Sequence, residues 1–219
     1  MWGTIFNPEN HFFQGIDRLF TIMALSLLWL GLCLPLVTAG PATAALYYVL
    51  VKCLRRREPY PFKNFLECFK LNFKQGFLAG LICLVVGQGA VLLLYLFYQM
   101  AVSGNRTAVV LLVACAVLTV ALLGYIAVLF PTLSRFQMGL GGLFLLAGRL
   151  ASAHILTTLG LGLVLILAGV GVWVLPIGAL FFPALAWLLI SVPLERIFRA
   201  EMLRTMELPP EEERPWYLR

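Results

Sequence analysis

The sequence predicts an all-α integral membrane bundle of about six transmembrane helices with amphipathic helices in the interface, and three observations carry that prediction. The first is composition: 62% hydrophobic and only 12% charged residues, with a mean hydropathy of +0.95. Soluble domains carry roughly 25% charged residues, so this chain lacks the polar surface that water requires. The second is four stretches without a single Asp, Glu, Lys or Arg, at 19–51, 75–105, 107–134 and 150–194. About 20 apolar residues cross roughly 30 Å of hydrocarbon as a helix, so each stretch holds at least one crossing. The third is the one-sided placement of the basic residues, developed below.

The elements follow in chain order. Asn7-Pro8 supplies an N-cap and a first-turn proline, and Phe12, Phe13, Ile16 and Phe20 form an apolar stripe, so 7–16 is expected to lie in the interface. The first span is expected at 17–36. It starts too late, and lacks the basic leader and small-residue cleavage site, to be a signal peptide. Pro35 and Pro41 then bracket Leu36-Val37-Thr38-Ala39-Gly40. Proline disfavours helix in the residue before it, so the chain is expected to break here and restart at Pro41, with Thr38 and Thr43 as caps. A helix start of this kind offers either a compact turn, packed through Ala42, Ala44 and Ala45, or a place for an anion or a hydroxyl. The second span, 41–54, is the shortest. If it were re-entrant, the N-terminus would lie outside.

Between residues 61 and 74 the pattern becomes amphipathic. Phe62, Phe65, Leu66, Phe69 and Phe73 recur at helical spacing opposite Lys63, Asn64, Glu67, Lys70 and Lys74, behind Pro61. This reads as an interfacial helix, serving either as an anchor or, through Phe62, Phe65, Phe69, Asn72, Phe73 and Lys74, as a docking surface. Spans at 76–100 and 108–130 follow, joined by a Ser103-Gly104-Asn105 turn. A third interfacial helix is expected at 133–150, with Arg135, Gln137 and Arg149 as its polar points. Spans at 153–173 and 177–198 close the bundle around Leu175-Pro176. The chain thus reads as one transmembrane domain over 1–206, which hydropathy divides into three interfacial-helix-plus-hairpin units, with a polar cytoplasmic tail at 207–219.

Orientation follows from Lys and Arg. Seven lie between Lys52 and Lys74, Arg135 and Arg149 lie in the second long connection, five follow residue 195, and Arg18 precedes the first span. That is 15 of the 16 basic residues on one side, with Arg106 on the other. Six crossings with both termini in the cytoplasm reproduce the split. The net charge of +6 is therefore a topology signal and calls for no nucleic acid. The run Lys52, Arg55, Arg56, Arg57 is a candidate contact for anionic lipid.

Catalytic machinery is not legible. There is no phosphate loop, no Gly-x-Ser-x-Gly and no His-Glu-x-x-His. His11 and His154 fall at helix boundaries, and the five cysteines (Cys33, Cys53, Cys68, Cys83, Cys115) are scattered as small buried hydrophobes without metal-ligand spacing. No cofactor or metal is expected. No ionisable group lies at mid-membrane depth, which argues against proton-coupled transport. Among the uncharged polar residues Gln88, between Gly87 and Gly89, stands out over Tyr95, Thr119 and Tyr125; its amide is expected to bond across helices.

The segment from Leu27 to Lys52, with Leu-Pro-Leu-Val-Thr-Ala-Gly-Pro-Ala-Thr-Ala-Ala-Leu-Tyr-Tyr at its centre, is the most distinctive in the chain. With Asn7-Pro8-Glu9-Asn10 and Phe65-x3-Phe69-x2-Asn72-Phe73-Lys74-Gln75-Gly76, it resembles the YesL family of bacterial membrane proteins. That resemblance is strongest before residue 80. It implies a multi-span protein of the cytoplasmic membrane, encoded beside carbohydrate ABC transporters and polysaccharide-degrading enzymes. The expected function is a non-enzymatic accessory subunit of such a transporter. The alternative is a stand-alone facilitator of a small neutral solute. An ordinary permease subunit is disfavoured, because no Glu-Ala-Ala…Gly docking loop occurs.

Overall fold

The computed structural model describes residues 11–56, 58–136 and 138–205, with side chains described from 18 to 203 within those limits. Among the described residues there are helices and turns and no strands. This is the expected outcome where backbone groups in lipid must bond within their own segment.

Among the described residues eight helices succeed one another: α1 (His11–Cys33), α2 (Ala39–Val49), α3 (Pro61–Leu71), α4 (Phe73–Val102), α5 (Arg106–Arg135), α6 (Leu140–Ala153), α7 (Ile155–Val174) and α8 (Phe182–Thr205). A 3-10 turn, Leu36–Thr38, leads into α2, and a π-helical turn, Leu50–Arg55, ends it. Among the described residues four helical segments are long and apolar enough to cross a membrane: Leu36–Arg55, Phe73–Val102, Arg106–Arg135 and Ile155–Val174. The apolar part of α1 (Arg18–Cys33) and α6 are shorter. The second half of α8 carries Glu195, Arg196, Arg199 and Glu201.

The segment that looked weakest as a span is the centre of the fold. The buried share of Leu36–Arg55 is 61%, against 6%, 11% and 17% for the other three. It packs against α1, α3, α4, α5 and α8. A helix apolar all round belongs in a core, and Gly40, Ala42, Ala44 and Ala45 let neighbours close in from several directions. The outer helices α4, α5 and α7 instead carry long rows of exposed Leu and Val, a surface suited to lipid rather than to water.

Two crossings are backbone-close. Gly76 and Gly80 of α4 face Gly40 and Pro41: a Cβ built on Gly76 would lie 2.8 Å from the Pro41 Cα, and one on Gly80 would lie 3.2 Å from the Gly40 Cα. At the second crossing, Gly124 of α5 and Gly162 of α7 press on the backbones of Thr158 and Val120 respectively. Small residues four apart on one face permit this approach, which gains dispersion contacts where lipid offers no hydrophobic driving force.

Several sequence expectations are corrected. The first interfacial helix is not separate: residues 11–16 run without a break into α1, while 7–10 lie outside the described residues, as does the tail at 207–219. The third does not begin at 133. α5 extends to Arg135 through Pro131, its last turns buried against the bundle, and α6 begins only at Leu140. The last helix starts at Phe182, after a 3-10 turn at Pro176–Leu180. The turn between α4 and α5 lies where predicted. Gly104 takes φ +91° and Asn105 caps α5 by accepting from the Thr107 N–H at 3.0 Å.

Candidate functional site

α8 leaves its apolar run at Leu194, and the next residue, Glu195, is the only carboxylate between Glu67 and Glu201. It sits at the end of the bundle where α2, α5 and α8 converge. Arg135, the last residue of α5, donates from Nη2 (2.7 Å) and Nε (3.2 Å) to Glu195 Oε1. The Tyr47 hydroxyl of α2 donates to the same oxygen at 2.7 Å. The Arg135 side chain is 1% exposed and that of Glu195 14%, while Tyr47 is fully buried and set edge-on to Trp187 at 6.3 Å between ring centroids. A buried guanidinium is tolerated only with a paired, hydrogen-bonded partner. Glu195 supplies that pairing, and Tyr47 donates to the same carboxylate from a third helix.

One turn before Glu195 on the same face of α8, Ser191 receives Arg55. The Arg55 Nη1 donates to the Ser191 carbonyl at 3.0 Å and to its hydroxyl at 3.2 Å. One turn after Glu195 on that face stands Arg199, which is exposed. Arg56, exposed beside them, feels the crowd. Burial lowers its pKa, Glu195 opposes that fall, and Arg135, Arg55 and Arg199 deepen it. Arg55 and Arg135 thus hold successive turns of α8, at Ser191 and Glu195.

A second pair ties α6 to α8. Arg149 Nη2 donates to Glu201 Oε1 at 2.6 Å, with Glu201 buried and Arg149 largely exposed. Beside it lies a small cavity of about 90 Å³ lined by Arg149, His154, Ile197 and Glu201 among others. His154 is exposed at the α6–α7 junction. Among the described residues, no group of three or more His, Cys, Asp or Glu is placed to hold a metal ion.

The predicted site residues fare unevenly. At the helix break, α1 ends at Cys33 and helix resumes from Leu36 rather than Pro41, which lies inside the first turn of α2. Thr38 takes the N-cap position of α2 without a side-chain cap bond, and Thr43 lies within the helix. The Thr38 hydroxyl donates back to the Leu32 carbonyl. Thr43 donates to the Ala39 carbonyl at 2.7 Å and accepts from the Trp29 indole at 3.1 Å. Gly40 and Pro41 are pressed on α4 at Gly76 and Gly80.

Gln88 is exposed on α4, and its neighbours Gly87 and Gly89 have nothing within 4 Å of a built Cβ. It makes no bond across helices. Tyr95 accepts from the Gln99 amide on its own helix, Thr119 donates to the Cys115 carbonyl, and Tyr125 donates to the Phe144 carbonyl of α6.

On α3, Phe65 is wholly buried and Phe69 half-buried against the core, because α2 already covers that face. Asn72 donates to the Cys68 carbonyl at 3.0 Å. Phe62, Phe73 and Lys74 remain exposed. Lys52 is occupied internally, donating to Asn64 Oδ1 at 3.0 Å and lying 5.3 Å from the Tyr48 ring centroid. Arg57 lies outside the described residues. Sequence reasoning thus missed Tyr47, Arg135, Ser191 and Glu195. The available signal was the isolation of Glu195 at the boundary of an apolar run, on the side crowded with arginine.

A family model described as "Protein of unknown function, DUF624" matches residues 22–96. The matched region runs from within α1 into α4 and includes the helix break, all of α2 and the Gly40–Gly76 crossing. No curated protein and no solved structure matches the chain.

Proposed function

We propose that this chain is a YesL-type protein of the cytoplasmic membrane, with six crossings and both termini in the cytoplasm, that serves as a non-enzymatic accessory subunit of a membrane complex linked to carbohydrate uptake. The observation that carries this reading is the filled centre. Where a solute facilitator needs a polar path at mid-depth, α2 presents Ala42, Ala44, Ala45, Leu46 and Val49, all without exposure, between helices in backbone contact. The match of residues 22–96 supports the family reading, since YesL-type proteins carry that domain.

The topology draws support from the polar contacts. Arg55, Arg135, Arg149 and the charged half of α8 were assigned to one side on charge alone. Arg55–Ser191, Arg135–Glu195 and Arg149–Glu201 bring them to one end of the bundle. In this reading α1 and the apolar half of α8 complete the six crossings, and α3 and α6 lie near the cytoplasmic surface. The exposed remainder of α3, including Phe62 and Leu66, together with Phe73 at the start of α4, is the surface offered to ABC transporter subunits.

The test is affinity purification of the tagged chain in a mild detergent that preserves transporter complexes, after growth on an oligosaccharide. Stoichiometric recovery of permease subunits, reduced by Phe62→Glu, is expected. Recovery of the chain alone would refute the accessory role. Flux of labelled oligosaccharide into liposomes bearing only this chain would favour the facilitator.

A further inference from the structure

We propose that the outward side of α4 is the interface of a parallel homodimer, in which the Gln88 amides of two copies hydrogen-bond to each other at mid-membrane depth. The inference rests on α4 crossing the membrane and not on the accessory-subunit reading.

Gln88 stands at the middle of its helix. It follows Phe73 by 15 residues (88 − 73) and precedes Val102 by 14 (102 − 88), and those two residues are the ends of α4. At 1.5 Å per residue, each end is about 22 Å away. Hydrocarbon roughly 30 Å thick, centred on this helix, places the amide near its mid-plane, far from either layer of headgroups.

Nothing in the chain bonds that amide. α4 is the least buried of the four segments able to cross a membrane. Its buried residues, Gly76 and Ala79, lie on the other side of the helix. Gln88 is exposed, and it has no hydrogen-bond partner among the described residues. Gly87 and Gly89 beside it carry no side chain to screen it. Lipid tails cover an exposed leucine as well as protein does, but they offer an amide neither donor nor acceptor. A polar partner from another chain meets that need.

The surrounding pattern suits a second helix. Leu81, Val85, Gln88, Leu92, Tyr95 and Gln99 recur at alternating steps of four and three, and all are exposed. Two helices pack side by side along such a seam, and one polar residue within it sets the register. Of the Gln and Tyr side chains beyond Gly76 in α4, only Tyr98 stands off the seam. Gln99 donates to the Tyr95 hydroxyl at 2.9 Å on its own helix, which leaves Gln88 as the unbonded amide.

Complementarity identifies the partner as a second copy. The charge asymmetry that orients one copy orients every copy alike, so two α4 helices meet parallel. In a twofold pair about the membrane normal, a residue on the seam faces its own counterpart at the same depth. A carboxamide holds both a donor and an acceptor, so each Gln88 NH2 can donate to the other copy's side-chain carbonyl. Amides bond across helices in this way within membranes.

The experiment is sedimentation equilibrium of the purified full chain in density-matched detergent micelles, over a range of protein-to-detergent ratios. The variants are Gln88→Leu, Gln88→Asn and, at an exposed residue of α5, Leu118→Ala; circular dichroism verifies the helicity of each. The wild type is expected to show a monomer–dimer equilibrium. Gln88→Leu should weaken association about three- to tenfold. Gln88→Asn keeps an amide and should stay closer to wild type, and Leu118→Ala should match wild type within about twofold. A wild type that is monomeric at every ratio, including one that instead carries a different membrane protein through purification, would overturn the proposal. So would a dimer that Gln88→Leu leaves unchanged, or one that Leu118→Ala weakens equally. Only this chain is present in the cell of the centrifuge, so none of these results bears on the recovery of permease subunits that tests the accessory role.

Discussion

Gly76→Ala places one methyl group against the backbone of α2. The added Cβ would stand 2.8 Å from the Pro41 Cα and 2.9 Å from its nitrogen, where ordinary contact begins near 3.4 Å. The helices must separate by at least about 0.6 Å along that line, and no side chain can rotate away to absorb it. Overpacking of this kind typically costs about 1–3 kcal/mol. The gain in helix propensity from Gly to Ala, about 1 kcal/mol at most, offsets only part. The same substitution at Gly87 and Gly89, on the same helix, meets nothing within 4 Å and should be neutral or stabilising. For a chain of this size the penalty corresponds to a fall of roughly 2–12 °C in midpoint. The assay is thermal unfolding in detergent micelles, followed by circular dichroism for the three single variants side by side. A Gly76→Ala protein as stable as Gly87→Ala would refute the close α2–α4 crossing and, with it, the placement of α2 at the centre.

The Arg135–Glu195 pair is expected to behave as a buried ion pair. Either Arg135→Met or Glu195→Met alone should destabilise by about 3–5 kcal/mol, because the remaining charge stays buried without its partner, whereas the double variant should recover much of the loss. Additive losses in that double-mutant cycle would show that the two side chains do not meet. Cys68 is 5% exposed, and burial pushes its thiol pKa up to about 11, only partly opposed by the Asn72 hydrogen bond. Its folded-state pKa lies above the unfolded value of 9.0, so the contribution to stability is full below pH 9 and is lost as pH rises through 11. Maleimide labelling of a variant retaining only Cys68 should therefore be slow in the folded protein at pH 8 and fast after unfolding in detergent. Rapid labelling of the folded form would contradict the burial.

The helical membrane class was legible because it rests on quantities that one-dimensional sequence holds outright: runs without charge, and the position of each Lys and Arg. The turn at Ser103-Gly104-Asn105 was legible for a similar reason, since glycine and an Asn cap act within a few residues. Which helix is central was not. Residues 41–54 looked like the poorest span because their apolar part is short, yet the small side chains of Ala42, Ala44 and Ala45 are what allow five neighbours to surround one helix. α3 showed its amphipathic face plainly, but not that α2 would cover Phe65. Gln88 drew attention as a polar residue among glycines, and only the packing showed that its face is left outward.

Hydropathy by itself thus determined the helical class and the runs apolar enough to cross a membrane, since each depends on local composition alone. The tertiary structure decided which of the arginines meet. Arg55, Arg135 and Glu195 are separated by 60 to 140 residues, and their meeting depends on how α2, α5 and α8 approach, which no local pattern records.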